Sequence, residues 1–396
     1  MMRVLMVSDV YFPRINGVST SIETFRRGLA NEGVEVRLVV PAYGGEAEQP
    51  GVVRVPGRPV PGDAEDRFVR WRAMHRAVAQ AAEGCDLIHV QTPFVAHYAG
   101  LEAARKLGLP VIATYHTLFE EYLHHYAPWL PGSWLRGGAR LLSRRQCNAL
   151  DGIVVPSTAM RERLGEYGVT TPMHVLPTGI PLERFAGGDG DAFRSRLGIR
   201  PERPVALYVG RVAHEKNIDF LIRALQVGLS SCPEMLLLIT GEGPATPALK
   251  AQVESLGLAG SVRFLGYLDR QKDLPDCYAA ADAFVFASRT ETQGLVLLEA
   301  MAAGVPVVAL SAMGTTDILG AGRGCIVPPD DEVAFGRTLA HFLRHPQVWT
   351  HLRREAAEYA QEWSDAAMAE RMATLYRSIR RCHRAREAQP LLIGGL

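Results

Sequence analysis

The 396-residue chain has almost no surplus of either charge: 43 basic residues meet 42 acidic ones, leaving +1. No global field therefore draws it to nucleic acid, and an anionic partner has to be met by a local patch. Long apolar runs are missing too. No uncharged stretch of about 18 apolar residues occurs, and the N-terminal run is too short for a signal peptide before it meets Asp9. The expectation is a chain that neither spans a membrane nor enters the secretory route. Paired cysteines are absent as well: Cys85, Cys147, Cys232, Cys277, Cys325 and Cys382 form no Cys-x-x-Cys, and no histidines cluster at zinc spacing. Buried free thiols in a reducing cytoplasm are expected. Lysine is scarce, with Lys106, Lys216, Lys250 and Lys272 standing against 39 arginines. That leaves few candidates for the Schiff-base lysine of a pyridoxal-phosphate phosphorylase.

What is present is enough for two domains. The length exceeds the roughly 100–200 residues of one domain, and 47% hydrophobic with 21% charged residues suits a folded globular chain. Short Val/Ile/Leu runs alternate with helix-length segments, the form taken by parallel strands covered on both faces. The first series predicts strands at 3–8, 35–40, 86–90, 110–114, 152–156 and 174–176, with a helix over 17–31. The second predicts strands at 205–209, 235–240, 262–265, 283–287 and 305–310. Two doubly wound α/β units in tandem are expected, 1–180 and 181–364, parted near Pro177-Thr178-Gly179 and the connector-like 187–191. A crevice at the carboxyl ends of their strands would hold the ligand.

The most informative segment runs from Ser288 to Val308. A strand ends at Ser288, a polar loop bears Glu291, Gly294 opens a helix, and Glu299 lies in that helix's first two turns. Unpaired N–H groups at Gly294 and Leu295 suit a phosphate. Glu291 and Glu299, expected at the same mouth, suit sugar or ribose hydroxyls. A ligand with polyols at two ends and phosphates between them is implied. Arg211 and Lys216 follow the strand at 205–209, where two cations can neutralise a departing diphosphate; the bland reading of Lys216 is an ion pair with Glu215 or Asp219. In the first domain Gly17 opens a helix where the backbone can approach a phosphate, although a cap by Ser19 or Thr20 explains that segment equally well. His116, just past the strand at 110–114, is placed to touch a substrate.

Together these residues resemble the family-4 glycosyltransferases of the GT-B architecture, in which two Rossmann-like domains face each other across a cleft that binds a nucleotide sugar. The most specific element is E-x7-E, met by Glu291 and Glu299, with the continuation Glu299-Ala300-Met301-Ala302-Ala303-Gly304-Val305-Pro306-Val307-Val308. The resemblance implies that Arg211 and Lys216 contact the diphosphate, Gly294 and Leu295 donate backbone hydrogen bonds, Glu291 holds the transferred sugar and Glu299 the ribose. It also implies that Gly17 approaches the phosphates, that His116 lies beside the sugar's reacting face, and that a C-terminal helix, 365–396 here, returns to the first domain. Pro177-Thr178-Gly179 replaces the common Pro-Asn-Gly, and Thr292-Gln293 replaces the common aromatics. These variants, with Tyr115-His116-Thr117 and Glu120-Glu121-Tyr122, look like the branch that glucosylates diacylglycerol.

The expected donor is therefore a nucleotide diphosphate sugar, UDP-glucose foremost, and the expected acceptor a lipid such as diacylglycerol. A soluble sugar acceptor, an epimerase, and a catalytically silent nucleotide-sugar sensor are the competing readings. Retention of anomeric configuration follows from the resemblance, and no resident cofactor is expected. Metal independence is expected because Asp189-Gly190-Asp191 lies in the apparent connector, away from the strand ends. Arg136, Arg140, Arg144 and Arg145 recur at helical spacing beside Leu135, Leu142, Trp129 and Trp134, and Arg67, Arg70, Arg72 and Arg76 surround Trp71. Such stripes predict peripheral docking on an anionic membrane surface, on the inner face of the cell membrane.

Overall fold

Continuous apolar runs become strands buried on both faces. The computed structural model describes residues 1–60, 63–116, 132–347 and 350–388. It divides into two units: Met1–Gly179 together with Asp365–Leu396, and Ile180–Ser364.

The strands of the first unit are β1 (Met2–Val7), β2 (Val34–Pro41), β3 (Val52–Val55), β4 (Gly57–Val60), β5 (Asp63–Val69), β6 (Leu87–Val90), β7 (Val111–Thr114), β8 (Gly152–Val155) and β9 (Met173–Val175). Seven form one parallel sheet, ordered β3-β2-β1-β6-β7-β8-β9, while β4 and β5 pair as an antiparallel hairpin. Helix Gly17–Asn31 turns Ile22, Phe25 and Leu29 inward at helical spacing. The chain's last helix, Asp365–Ala388, packs in this unit, burying Met368, Met372, Ala373 and Tyr376 in its core. Glycine is required at the crossing: a β-carbon on Gly28 would stand 2.6 Å from the β-carbon of Ala369.

The second unit contains β10 (Val205–Val209), β11 (Leu236–Thr240), β12 (Val262–Gly266), β13 (Ala283–Phe286), β14 (Val307–Ala309) and β15 (Cys325–Ile326), ordered β12-β11-β10-β13-β14-β15 and all parallel. Each unit is thus a doubly wound, Rossmann-like α/β fold. Strand order reverses between β1 and β6 in the first unit, and between β10 and β13 in the second. Beyond the carboxyl ends of those pairs the connections diverge and leave room for a ligand.

Three features depart from the sequence expectation. β3, β4 and β15 are short and partly exposed, and β5 is rich in charged residues, so no continuous apolar run announced them. Residues 187–191 are not a free connector: Asp189 accepts from the N–H of Ala192 at 2.9 Å to cap helix Gly190–Arg196. Gly188 and Gly190 lie so close to the backbone of Pro275 and Ala279 that a β-carbon on either would collide. Five cysteines are buried free thiols as expected, but Cys382 is exposed.

Candidate active site

The site in the second unit is assembled by a stitch between two loops. The backbone leaving β10 makes a short turn over His214–Lys216 and enters the left-handed region at Asn217, where φ is 56°. The Asn217 side chain donates to the carbonyl of Ala287 at 3.1 Å, and the buried Ser288 hydroxyl donates to the carbonyl of Glu215 at 3.3 Å. These bonds hold the loop after β10 against the loop after β13. Lys216 therefore meets Glu291, with Nζ 2.6 Å from Oε2 and the two side chains 21% and 22% exposed. The ion pair joins two of the expected functional residues, in place of the pairing with Glu215 or Asp219. Arg211 lies exposed on the same stretch after β10.

Gly294 adopts φ +93°, a conformation that favours glycine, and starts helix Leu295–Ala302 without any side-chain cap. A β-carbon there would also stand 3.1 Å from the Thr315 methyl. The first N–H groups of the helix carry its positive end, and among the described residues no side chain accepts from them.

Glu299 does not share an open mouth with Glu291. Set on the second turn of the helix, it is carried inward to 4% exposure, where Arg270 and Tyr278 reach it from the stretch after β12. Arg270 Nη2 lies 2.6 Å from Oε1, and the Tyr278 hydroxyl donates to Oε2 at 2.8 Å. The Glu299 charge pulls the Arg270 pKa up, and burial followed by that same charge pushes Tyr278 well above its ordinary value, so both stay protonated donors. Arg270 and Tyr278 were missed by the sequence reading. The rule that singled out Arg211, a cation just past a strand's carboxyl end, applies equally to Arg270 four residues after Gly266.

Gly17 and His116 belong to the first unit. Gly17 is the first residue of its helix, and a β-carbon on it would meet nothing within 4 Å. The cap comes from Asn16, whose side chain accepts from the N–H of Ser19 at 2.9 Å while the Ser19 hydroxyl accepts from the N–H of Asn16 at 3.0 Å; it does not come from Ser19 or Thr20 alone. His116 Nε2 lies 3.0 Å from Gln91 Oε1, and burial holds its pKa down at about 4. His89, bridging Tyr376 and Thr114 at 2.7 Å each, is pushed by burial to about 3. Both imidazoles are neutral at physiological pH.

The basic stripes are only partly free. Helix Gly132–Cys147 buries Ala139, Ser143, Gln146 and Cys147 and exposes Leu141, Leu142, Arg144 and Arg145. Arg140 stacks over Tyr167 at 5.4 Å, and Arg144 lies against Gly168. Trp129, Thr117 and Glu120-Glu121-Tyr122 lie outside the described residues, as do the side chains of Trp134, Leu135 and Arg136. The second cluster is aromatic as well as basic: Phe68, Arg70, Trp71, Arg72 and Arg76 are exposed, with Trp71 5.7 Å from the ring of the exposed Tyr98. No helix among the described residues is long and apolar enough to cross a membrane. Among the described residues no group of three or more His, Cys, Asp or Glu side chains gathers as a metal site.

Comparison with known proteins meets this geometry. Residues 15–184 match the model described as Glycosyltransferase Family 4, and residues 189–363 match the one described as Glycosyl transferases group 1. The chain is 34% identical over 317 residues to the alpha-monoglucosyldiacylglycerol synthase of Streptococcus pneumoniae, covering 78% of this chain and 71% of that protein. With the alpha-monoglucosyldiacylglycerol synthase of Acholeplasma laidlawii it shares 27% identity over 390 residues, 95% of this chain and 96% of the other. In fold it resembles the Anabaena protein Alr3699/HepE, solved in complex with UDP, with a TM-score of 0.76 and 18% identity over 95% of this chain and 100% of that one.

Proposed function

The chain belongs to the family-4 glycosyltransferases, and on that premise we propose that it moves glucose from UDP-glucose to diacylglycerol at a membrane surface, with retention and without a metal ion. One observation carries the donor half: the carboxyl end of the second unit's sheet combines Arg211, Lys216 and the uncapped helix start at Gly294 and Leu295 with the carboxylates of Glu291 and Glu299. Cations and N–H groups fit a diphosphate, whereas carboxylates fit hydroxyls and repel phosphate. Lys216 has three donor hydrogens, so it can keep Glu291 in place while a second N–H reaches a phosphate oxygen. As the bond from the sugar to the diphosphate breaks, that charge is met by Lys216, Arg211 and the helix start. The departing phosphate oxygen then takes the acceptor hydroxyl's proton on the face it leaves, which gives retention without a covalent intermediate. Glu291 holds the sugar, Glu299 the ribose, and neutral His116 offers a hydrogen bond beside the reacting face.

Similarity to two alpha-monoglucosyldiacylglycerol synthases supports the lipid acceptor and the glucosyl donor. The exposed Phe68, Trp71 and Tyr98 among arginines support docking on an anionic bilayer, each nearby cation adding about 1 kcal/mol. The test is a thermal-shift panel of nucleotide sugars, followed by product analysis on diacylglycerol in anionic vesicles with and without chelator. UDP-glucose at about 100 times its Kd should stabilise by about 2.7 kcal/mol. An α-linked glucolipid formed equally well in chelator is expected. A β-linked product, magnesium-reversible loss of activity, or transfer only to soluble sugars would each overturn the corresponding part.

A further inference from the structure

Of the two acids, Glu299 is the more tightly held, and the residues that hold it have no part in the proposed chemistry. Arg270 sits in a loop that is itself ordered: the Asp269 carboxylate accepts from the N–H groups of Gln271 and Lys272 at 2.9 Å each, and the Asp269 carbonyl accepts from Asp273 and Leu274. Tyr278 is fully buried on helix Asp273–Ala279, its ring edge-on to Phe185 at 5.7 Å and near Phe284 at 5.9 Å. One donor reaches each carboxylate oxygen, from two rigid supports. An ionised carboxylate offers about four lone-pair sites, so roughly one remains open on each oxygen. With its orientation fixed, the remaining lone pair on each oxygen matches two adjacent hydroxyls, on the reading that this carboxylate meets the ribose.

We propose that Arg270, with Tyr278, is a positioning residue that locks the Glu299 carboxylate to accept a vicinal diol, and thereby sets a preference for ribose over 2′-deoxyribose in the bound nucleotide. This rests on the reading that Glu299 meets the ribose. A ribonucleotide fills both open sites, whereas its 2′-deoxy counterpart leaves one oxygen of a buried anion short of a partner. Without Arg270 the carboxylate can turn and draw in water, and the cost of the missing hydroxyl falls. Arg270 acts in this proposal through Glu299 and not on the reacting bond, so its loss should raise the donor KM and leave kcat near wild type.

The experiment uses the full chain and equilibrium binding of the four common ribonucleoside diphosphates and their 2′-deoxy forms. Wild type should prefer the ribose form of its nucleotide by about tenfold or more. Arg270→Ala and Tyr278→Phe should shrink that ratio severalfold, and Arg270→Lys, which keeps one charged donor, should restore much of it. If Arg270→Ala does not fold, Tyr278→Phe keeps the packed ring and carries the test. Should both variants retain the wild-type ratio while Glu299→Gln loses it, the positioning role is overturned and the ribose reading stands. Absence of a ribose preference in wild type, its persistence in Glu299→Gln, or no binding of any diphosphate would overturn the ribose reading and the proposal with it.

Discussion

The two units share a strand order around their first strands and treat the same position differently. In each, the strand order reverses beside the first strand, and the next strand over leads into a helix whose positive end faces the reversal. In the second unit the cap of helix Leu295–Ala302 is Gly294, which has no side chain, and among the described residues no other side chain accepts from the helix's first N–H groups. In the first, helix Val95–Leu107 is already filled: the Asp9 carboxylate accepts from the N–H of Ala96 at 3.1 Å and from the Thr92 hydroxyl at 2.8 Å. Around the filled end stand neutral groups, among them His116, His89 and Gln91. Beside the second switch point stand Lys216, paired with Glu291, and the exposed Arg211 on the stretch after β10, while Glu299 is buried on the helix itself. The protein's own carboxylate meets the helix start at one switch point, while cations and backbone N–H groups stand at the other, which fits the proposed reading of an anionic ligand in the second unit.

The largest effect should come from removing charge at the second switch point. On the proposed reading, Lys216→Ala strips one cation from the departing diphosphate, and it also takes the ion-pair partner from Glu291, so it should cost about 3 kcal/mol in the transition state, roughly a hundredfold in kcat/KM. Steady-state kinetics on a variant with wild-type circular dichroism decides it. Near-full turnover would mean that this switch point is not where the diphosphate is met.

At the filled end the loss should appear in stability instead. Asp9→Ala leaves a buried helix start and the Thr92 hydroxyl without their acceptor, for about 1–3 kcal/mol in urea unfolding. Asp9→Asn keeps an accepting oxygen and should lose less. If Asp9→Ala instead folds as well as wild type and binds inorganic phosphate, the two ends are equivalent and the contrast disappears.

How far the sequence already told this story depends on whether the contacts are local. The strand at 205–209 and the helix at 17–31 were legible to the residue, because a continuous apolar run and an amphipathic period are local signals. The family was legible because Glu291 and Glu299 lie eight residues apart on one loop and helix. The Arg270–Glu299 bond was not, since β12, which leads to Arg270, lies at the sheet's edge three places from β13. Nor was Lys216–Glu291, which depends on the Asn217 and Ser288 bonds across 70 and 73 residues. Chain order supplies no spacing from which either contact could be read.

Acid should separate the units next. His89, His97 and His116 are held by burial at about 3, 4 and 4 against an ordinary 6.5, so between pH 6.5 and 4 the unfolded chain binds more protons and stability falls as pH falls. Asp9 runs the other way: burial raises it from 3.8 to about 6, so over that range the folded state holds the extra proton and gains stability. Three histidines against one carboxyl give a net loss. Urea midpoints measured from pH 7 to 4 should fall, less steeply in His116→Gln and more steeply in Asp9→Ala. A midpoint independent of pH would contradict the neutral, buried character assigned to the first unit's end.

The smallest effect concerns Gly17, one of the glycines of the first unit beside which a β-carbon would meet nothing. Gly17 begins its helix with an ordinary backbone conformation, and a β-carbon would meet nothing within 4 Å. The fold does not need glycine there, and Gly17→Ala should leave the melting temperature unchanged or slightly raised, as the unfolded chain loses freedom. If the donor's phosphates come close to that backbone, the same methyl group should raise the donor KM severalfold. Gly28→Ala is the converse control: it forces a β-carbon to 2.6 Å from Ala369, so it should lower the melting temperature without a selective change in donor KM. Equal donor KM in Gly17→Ala and wild type would leave that space unused, and the first unit would have no hand in holding the phosphates.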